Sequence, residues 1–168
     1  MTAGNVTTRI ATVADAPAIA AIYNEGIADR IATFETEPRS AETLAAQITD
    51  KGDKYPTIVA ERDGRIVAWA SASAYRSRPA YAGVAEHSVY VARDARGSGA
   101  GRAALNAFCR AYADLGFWKV VSRIFPENTA SLKLHERCGF RVVGVYTRHG
   151  KLEGQWRDCV IVERMLDE

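Results

Sequence analysis

A mixed α/β sheet with helices on both faces is the fold class that the sequence predicts, and three observations predict it. The apolar pattern switches between period two and period 3.6 in the order strand, helix, helix, three strands, helix, strand, helix, strand, strand. Asp63-Gly64 separates two β-branched runs, which marks an antiparallel hairpin. The stretch from Glu86 to Arg102 runs from a strand through a glycine-rich turn into a helix. No repeat, low-complexity segment or linker interrupts this order, so one domain over residues 1–168 is expected.

Taken in order, Thr8-Arg9-Ile10-Ala11 is a short strand, and Thr12 with Asp15 forms a capping box that opens the first helix. Ile19, Ile22, Tyr23 and Ile27 recur at helical spacing, and that helix ends near Asp29. The segment Arg30 to Glu35 breaks the periodicity before Pro38, and its isolated Phe34 reads as part of a lid between two helices. Ser40 can cap the second helix, which carries Leu44 and Ile48. After Pro56, Thr57 to Glu61 and Arg65 to Ala70 form the hairpin around Asp63-Gly64. Tyr75 to Tyr81 is polar, broken by Pro79, and rich in arginine and aromatic side chains. Ser88 to Val91 is the next strand, and Leu105, Phe108, Tyr112 and Leu115 share one face of the helix that follows. Lys119 to Ile124 is a strand, and Asn128, Ser131, Leu132 and Leu134 introduce a short helix that stops at Gly139. Two strands, Arg141 to Thr147 and Arg157 to Met165, close the chain across a turn containing Gly150 and Gly154.

Composition removes several classes of function. A chain of 168 residues with 48% hydrophobic and 25% charged residues can bury an ordinary core, as soluble globular proteins do. A net charge of +2 without a run of like charges argues against nucleic acid or an anionic membrane as a partner. No apolar run approaches a membrane span, and Met1 to Thr8 lacks the apolar core of a signal peptide, so a cytoplasmic location is expected. Cys109, Cys138 and Cys159 are odd in number and far apart, with no metal-ligand spacing, so neither a disulfide nor a metal is expected.

The glycine-rich turn Arg96-Gly97-Ser98-Gly99-Ala100-Gly101-Arg102 is built as an anion cradle. Its glycines let successive N–H groups face inward, and the helix N-terminus adds partial positive charge. It is not a P-loop, because Arg102-Ala103 follows Gly101 where Lys and Ser/Thr are needed. A dinucleotide fingerprint fits poorly, since the spacing is Gly-x-Gly-x-Gly and the next strand offers Arg123 where an acidic residue is wanted. The Arg-x-x-Gly-x-Gly/Ala pattern of acyl-CoA binding remains, and here the sequence resembles the GNAT superfamily of N-acetyltransferases.

Further matches run over essentially the full length: Ile31 to Glu35, Arg76-x-Arg78-x-x-Tyr81, Glu86 to Val91, Asn128-x-x-Ser131-x-x-Leu134-His135-Glu136, Gly139-Phe140 and Lys151 to Asp158. Together they resemble the phosphinothricin N-acetyltransferase branch, and Phe117 to Lys119 with Ser122 to Asn128 look most like arsinothricin-resistance enzymes. One departure is that many members carry a tryptophan in the second helix, around Ala45 to Ile48, and this chain does not. The resemblance implies a mostly antiparallel seven-stranded sheet, acetyl-CoA as co-substrate, and a homodimer. It places cofactor contacts at Ser88 to Val91, Arg96 to Arg102, Asn128, Ser131 and Lys133, and substrate contacts at Phe34, Arg76, Arg78 and Tyr81.

The chemistry can be argued from the same residues. An α-amino acid near neutral pH is mostly ammonium, so transfer needs a base, and Glu86 at the start of its strand would lie beside the thioester. The alternative is a salt-bridged strand-end glutamate. Backbone N–H groups of Val89 to Val91 can stabilise the oxyanion if the strand splays after Ser88, which the sequence leaves undecided. His135 occupies the position where many relatives place a tyrosine that protonates the departing thiolate, and a structural histidine is the equal alternative. No base is obviously dedicated to Cys138, which favours direct transfer in a ternary complex over an acyl-enzyme. Arg76 and Arg78 can bind an oxyacid tail bidentately. The expected activity is N-acetylation of a glutamate-like phosphinic or arsenical amino acid, conferring resistance. Methionine sulfoximine, methionine sulfone or another small amine is the alternative acceptor, and a non-catalytic CoA-binding regulatory domain is the alternative from another class.

Overall fold

One seven-stranded sheet organises the chain, and a computed structural model describes residues 5–167 of it. The elements are β1 (Thr7–Ile10), α1 (Ala16–Asp29), α2 (Ala41–Lys51), β2 (Ile58–Arg62), β3 (Arg65–Ala74), β4 (Val84–Val91), α3 (Ala100–Asp114), β5 (Lys119–Ile124), α4 (Thr129–Arg137), β6 (Arg141–Leu152) and β7 (Gln155–Met165). The strand order is β1-β2-β3-β4-β5-β7-β6, antiparallel except between β4 and β5. The β4–β5 step is parallel because α3 crosses between them, as a parallel connection requires.

Strand alternation sends the two faces to different helices. Ala70 and Ala72 of β3 pair with Val89 and His87 of β4, and this side packs on Leu105, Phe108 and Tyr112 of α3. Tyr112 is fully buried, and its hydroxyl donates to the Pro56 carbonyl at 2.8 Å. On the other face Trp69 pairs with Tyr90, their rings stacked at 4.9 Å, and Tyr23 of α1 meets Tyr90 edge-on at 5.0 Å. Each such buried side chain contributes about 1.5–3 kcal/mol. All three cysteines are buried in these layers.

Several local expectations are corrected. The Asp15 carboxylate accepts the Thr12 N–H at 2.8 Å, but the turn it caps is a 3-10 turn, Val13–Asp15, and α1 starts only at Ala16. Arg9 also binds Asp15, at 2.7 and 2.8 Å, so this cap is shared with an ion pair. Leu115 lies past the end of α3 and is exposed, leaving Leu105, Phe108 and Tyr112 as the buried face. β4 begins at Val84, because Val84 and Ala85 are buried and Ala85 extends the ladder opposite Ala74. Glu86 therefore lies inside the strand. Gly150 lies within β6 and the hairpin turn is Glu153-Gly154, since two register irregularities let β6 run on to Leu152. The Asp63-Gly64 turn forms as expected, with φ of +54° and +75°.

Two surfaces are left uncovered. On the α1 side, Ser73 and Ser88 are exposed although they lie on the central strands β3 and β4, so the sheet has a hollow there. At the edge, β6 exposes Val142, Val143, Val145 and Tyr146.

Candidate active site

The glycine-rich turn has the backbone its sequence demands. Gly97 (φ +77°) and Gly99 (φ +89°) occupy the left-handed region where any Cβ is strained. Gly99 is the N-cap of α3 and brings no side chain to cap it, and of the first-turn amides that of Ala100 lies 3.4 Å from Ser98 Oγ. A Cβ on Gly101 would stand 2.9 Å from Val91 Cγ2 and 3.2 Å from Leu134, so this glycine lets α3 seat against β4 and α4. Arg96 does not project freely: it pairs with Asp29 at 3.0 Å, beside Arg93 at 2.7 Å. Hydrogen bonds from Arg93, and then Arg96, hold the Asp29 carboxyl below its ordinary pKa. The pairs anchor the loop to the end of α1. Arg102 is exposed and Ser98 half-buried.

Beside this turn the sheet opens. β4 and β5 pair at Val84/Lys119, Ala85/Val120 and Glu86/Val121, and there the ladder stops. Both strands continue, to Val91 and Ile124, without pairing again. Ser122 Oγ donates to the His87 carbonyl at 3.0 Å and closes the apex of the gap. The strands thus diverge after Glu86, which answers the question of a splay that the sequence left undecided, and the edge of Ser88, Val89, Tyr90 and Val91 toward β5 has no strand partner among the described residues.

Glu86 stands at that apex and is ion-paired. Arg123 Nε and Nη2 both reach its Oε1, at 2.8 and 2.6 Å. Its face is the hollow one, in register with Ser73. Tyr75 packs at one end of the hollow, with Arg76 stacked on its ring at 4.2 Å and Tyr81 edge-on at 5.9 Å. Arg76 and Arg78 are exposed, and neither makes an ion pair among the described residues. Phe34 meets Phe125 edge-on at 4.8 Å and lies over Gly150, whose absent Cβ would be 2.8 Å from the ring. The same lid is tied to the β6–β7 turn by Arg30 with Glu153. From α2, Lys51 reaches Ser71 Oγ at 3.0 Å on this face, and burial lowers the pKa of its ammonium.

His135 is placed elsewhere. It is 2% exposed, its Nδ1 lies 2.7 Å from the Ser131 carbonyl, and its Nε2 lies 3.0 Å from Nε2 of the equally buried His87. A carbonyl only accepts, so Nδ1 carries the proton, and in neutral His135 the Nε2 lone pair takes the N–H of His87. Burial lowers the pKa of both rings, which keeps them neutral. Asn128 caps α4, its Oδ1 accepting the Ser131 N–H at 3.2 Å, and Lys133 is exposed. Burial pushes the Cys138 thiol up, away from the thiolate form.

The structure thus brings Arg76 and Tyr81 together on Tyr75, packs Tyr75 on the cluster that holds Phe125, the partner of Phe34, and sets Glu86 against Arg123 where the gap beside Ser88 to Val91 begins. Arg123, Lys51, Ser71, Tyr75, Phe125 and Gly150 were not read as site residues. One signal was available: Ala70-Ser71-Ala72-Ser73 alternates small apolar with hydroxyl side chains on a central strand, which marks a face that nothing covers.

Comparison with known proteins agrees with this geometry. The model of the acetyltransferase (GNAT) family matches residues 19–140. The chain is 39% identical over 166 residues to the phosphinothricin N-acetyltransferase of Alcaligenes faecalis, covering 96% of this chain and 83% of that one. It is 34% identical over 161 residues to an L-methionine sulfoximine/L-methionine sulfone acetyltransferase of Pseudomonas aeruginosa, covering 95% and 94%. Among solved structures, a phosphinothricin acetyltransferase of Sinorhizobium meliloti in complex with AcCoA superposes with a TM-score of 0.88 at 34% identity, covering 95% of this chain and 88% of that one.

Proposed function

The chain belongs to the acetyltransferase (GNAT) family and is an acetyl-CoA-dependent amino-acid N-acetyltransferase, and we propose that its acceptor is a glutamate-analogue amino acid with a phosphinic or arsenical acid tail. The observation that carries this reading is the pair Arg76 and Arg78, two guanidinium groups without an acidic partner among the described residues, on the segment that leads into the strand of Glu86. Such forks suit a tetrahedral oxyacid, and acetylation of its amino group would disarm a toxic analogue and so confer resistance. The Pseudomonas aeruginosa relative supports a second reading, in which the tail is the sulfone or sulfoximine of methionine.

Acetyl-CoA supplies the thioester carbonyl carbon. The residues fit it: the left-handed glycines, the end of α3 with no N-cap side chain and the edge of β4 that has no strand partner among the described residues offer backbone donors. The acceptor arrives as an α-ammonium, because its own α-carboxylate holds the amine's pKa above the value of about 8 of a peptide α-amino group. Glu86 takes one proton, directly or through a water, and the freed lone pair attacks the carbonyl carbon. The C–N bond forms and the C–S bond breaks with its electron pair leaving on sulfur, and the second proton of the attacking nitrogen passes to that thiolate or to water. Gap-facing amides of β4 stabilise the charge that builds on the carbonyl oxygen. A thiol with a pKa of about 8.5 leaves readily as the thiolate. Neutral His135 carries its proton on Nδ1, so it donates to the thiolate only if the bond to the Ser131 carbonyl opens. Transfer is direct, since Cys138 is buried and held as the thiol. The apolar edge of β6 supports a homodimer, which sedimentation would show.

Thiol release with acetyl-CoA, measured across phosphinothricin, arsinothricin, methionine sulfone, methionine sulfoximine and glutamate, tests the reading. The two oxyacids are expected to show the highest kcat/KM. If neither turns over faster than glutamate or methionine sulfone, the oxyacid assignment is wrong. Binding of acetyl-CoA with no thiol release for any amine would leave a non-catalytic CoA-binding domain.

A further inference from the structure

Arg123 is the residue of this site that the proposed mechanism does not use. It lies on β5 two residues past Val121, the last position paired with β4, so it borders the gap and faces the hollow. Both of its bonds to Glu86 go to one oxygen, from Nε at 2.8 Å and from Nη2 at 2.6 Å. Glu86 Oε2 and Arg123 Nη1 make no hydrogen bond among the described residues. The guanidinium is half exposed, at 50%, and the Glu86 side chain is 22% exposed. A bare carboxylate oxygen and a bare pair of N–H donors therefore stand side by side at the apex of the gap.

An α-amino acid is the complement of that pair, for it carries an ammonium and a carboxylate on one carbon. Placed against the pair, its ammonium meets Oε2 and its carboxylate meets the free edge of the guanidinium, so each charge faces its opposite. The reverse orientation sets like charges together. This deepens the proposed function and rests on it: we infer that Arg123 binds the α-carboxylate of the acceptor, so that Glu86 and Arg123 together select a free zwitterionic amino acid while Arg76 and Arg78 take the tail. The base then has a reason to be ion-paired, since Arg123 aims Glu86 before the acceptor binds and turns to the acceptor's carboxylate afterwards. A peptide N-terminus or a decarboxylated amine has nothing to offer Arg123 and leaves Glu86 tied to it.

The test uses phosphinothricin and L-methionine sulfone, each beside its own α-carboxamide, in thiol-release assays with acetyl-CoA. The carboxamides are expected to show kcat/KM about 10- to 100-fold below the acids, chiefly through KM, as loss of a charge-assisted pair dictates. In Arg123→Gln the acids should fall further than the carboxamides by about that factor, which brings the acid-to-carboxamide ratio close to one, and Arg123→Lys should restore part of it. Thermal unfolding of Arg123→Gln should stay near the wild type, because the pair is exposed. Equal use of acid and carboxamide by the wild type, or an unchanged ratio in Arg123→Gln, overturns the inference and leaves the proposed function standing. No thiol release from either free acid and acetyl-CoA overturns the proposed function, and this inference with it.

Discussion

The donor and acceptor halves of the proposed site are built from different material. The donor half, Ser88 to Arg102, is one continuous stretch whose working groups are backbone amides, with glycines where the backbone turns left-handed. The acceptor half is assembled from side chains: Phe34 from the α1–α2 loop, Arg76, Arg78 and Tyr81 from the β3–β4 connection, Glu86 from β4 and Arg123 from β5. Backbone recognition survives most substitutions, whereas side-chain recognition changes with each one. The acceptor can therefore diverge while the donor stays the same, and relatives of this chain are named for two different acceptors, phosphinothricin and methionine sulfoximine.

Substitution can break that division or sharpen it. Glu86→Gln, at the point where the halves meet, should lower kcat/KM by about 10²- to 10⁴-fold at neutral pH. The deficit should shrink at alkaline pH, as more of the amine arrives deprotonated, and a pH profile parallel to the wild type would remove Glu86 from the base role. Gly99→Val places a β-branched residue at φ +89° and should cost about 1–2 kcal/mol of strain. Calorimetry should show acetyl-CoA affinity about 10-fold weaker, with KM for the acceptor unchanged; an acceptor effect instead would mean the halves are not separate. Phe34→Ala should do the converse, raising acceptor KM by roughly 10-fold and leaving acetyl-CoA affinity intact. Gly150→Val, which pushes the ring off its seat, should act in the same direction.

The smallest effect concerns neither half but the wall behind them. His87 and His135 are held neutral by burial, with pKa values below the ordinary 6.5. The unfolded chain takes up protons on both rings below about pH 6.5 while the folded one does not, so their contribution is complete above that pH and is lost as pH falls through it. The melting temperature should drop between about pH 7.5 and about pH 5.5, with a limiting slope of about 1.4 kcal/mol per pH unit for each ring. His87→Phe should flatten it, and an equally steep fall in that variant would locate the titration elsewhere.

Features set by neighbours in sequence were legible without coordinates. The Asp63-Gly64 turn, the Ser40 cap accepting the Thr43 N–H at 3.1 Å, the Asn128 cap and the glycine loop all formed where their residues stood. Each is decided by a steric or hydrogen-bonding rule acting within four residues. Glu86 stood out as a candidate base because it begins the stretch that feeds the loop. Its ion pair with Arg123 did not, since 37 residues separate the two. The contact of Phe34 with Gly150 likewise joins a loop to a strand that the sequence read as a turn. His135 was legible as a residue of interest but not as half of a buried pair, because His87 comes from another element, 48 positions away.

Sequence by itself determined the order of the elements, the anion-cradling turn and the residue types gathered for acyl transfer to an amino acid, because periodicity and glycine stereochemistry are local and leave few alternatives. Tertiary structure alone decided where β4 parts from β5, which charges face each other across that gap and which face of the sheet stays open. Those outcomes depend on strand register and on which helix covers which face, and register is settled only when all seven strands pack at once.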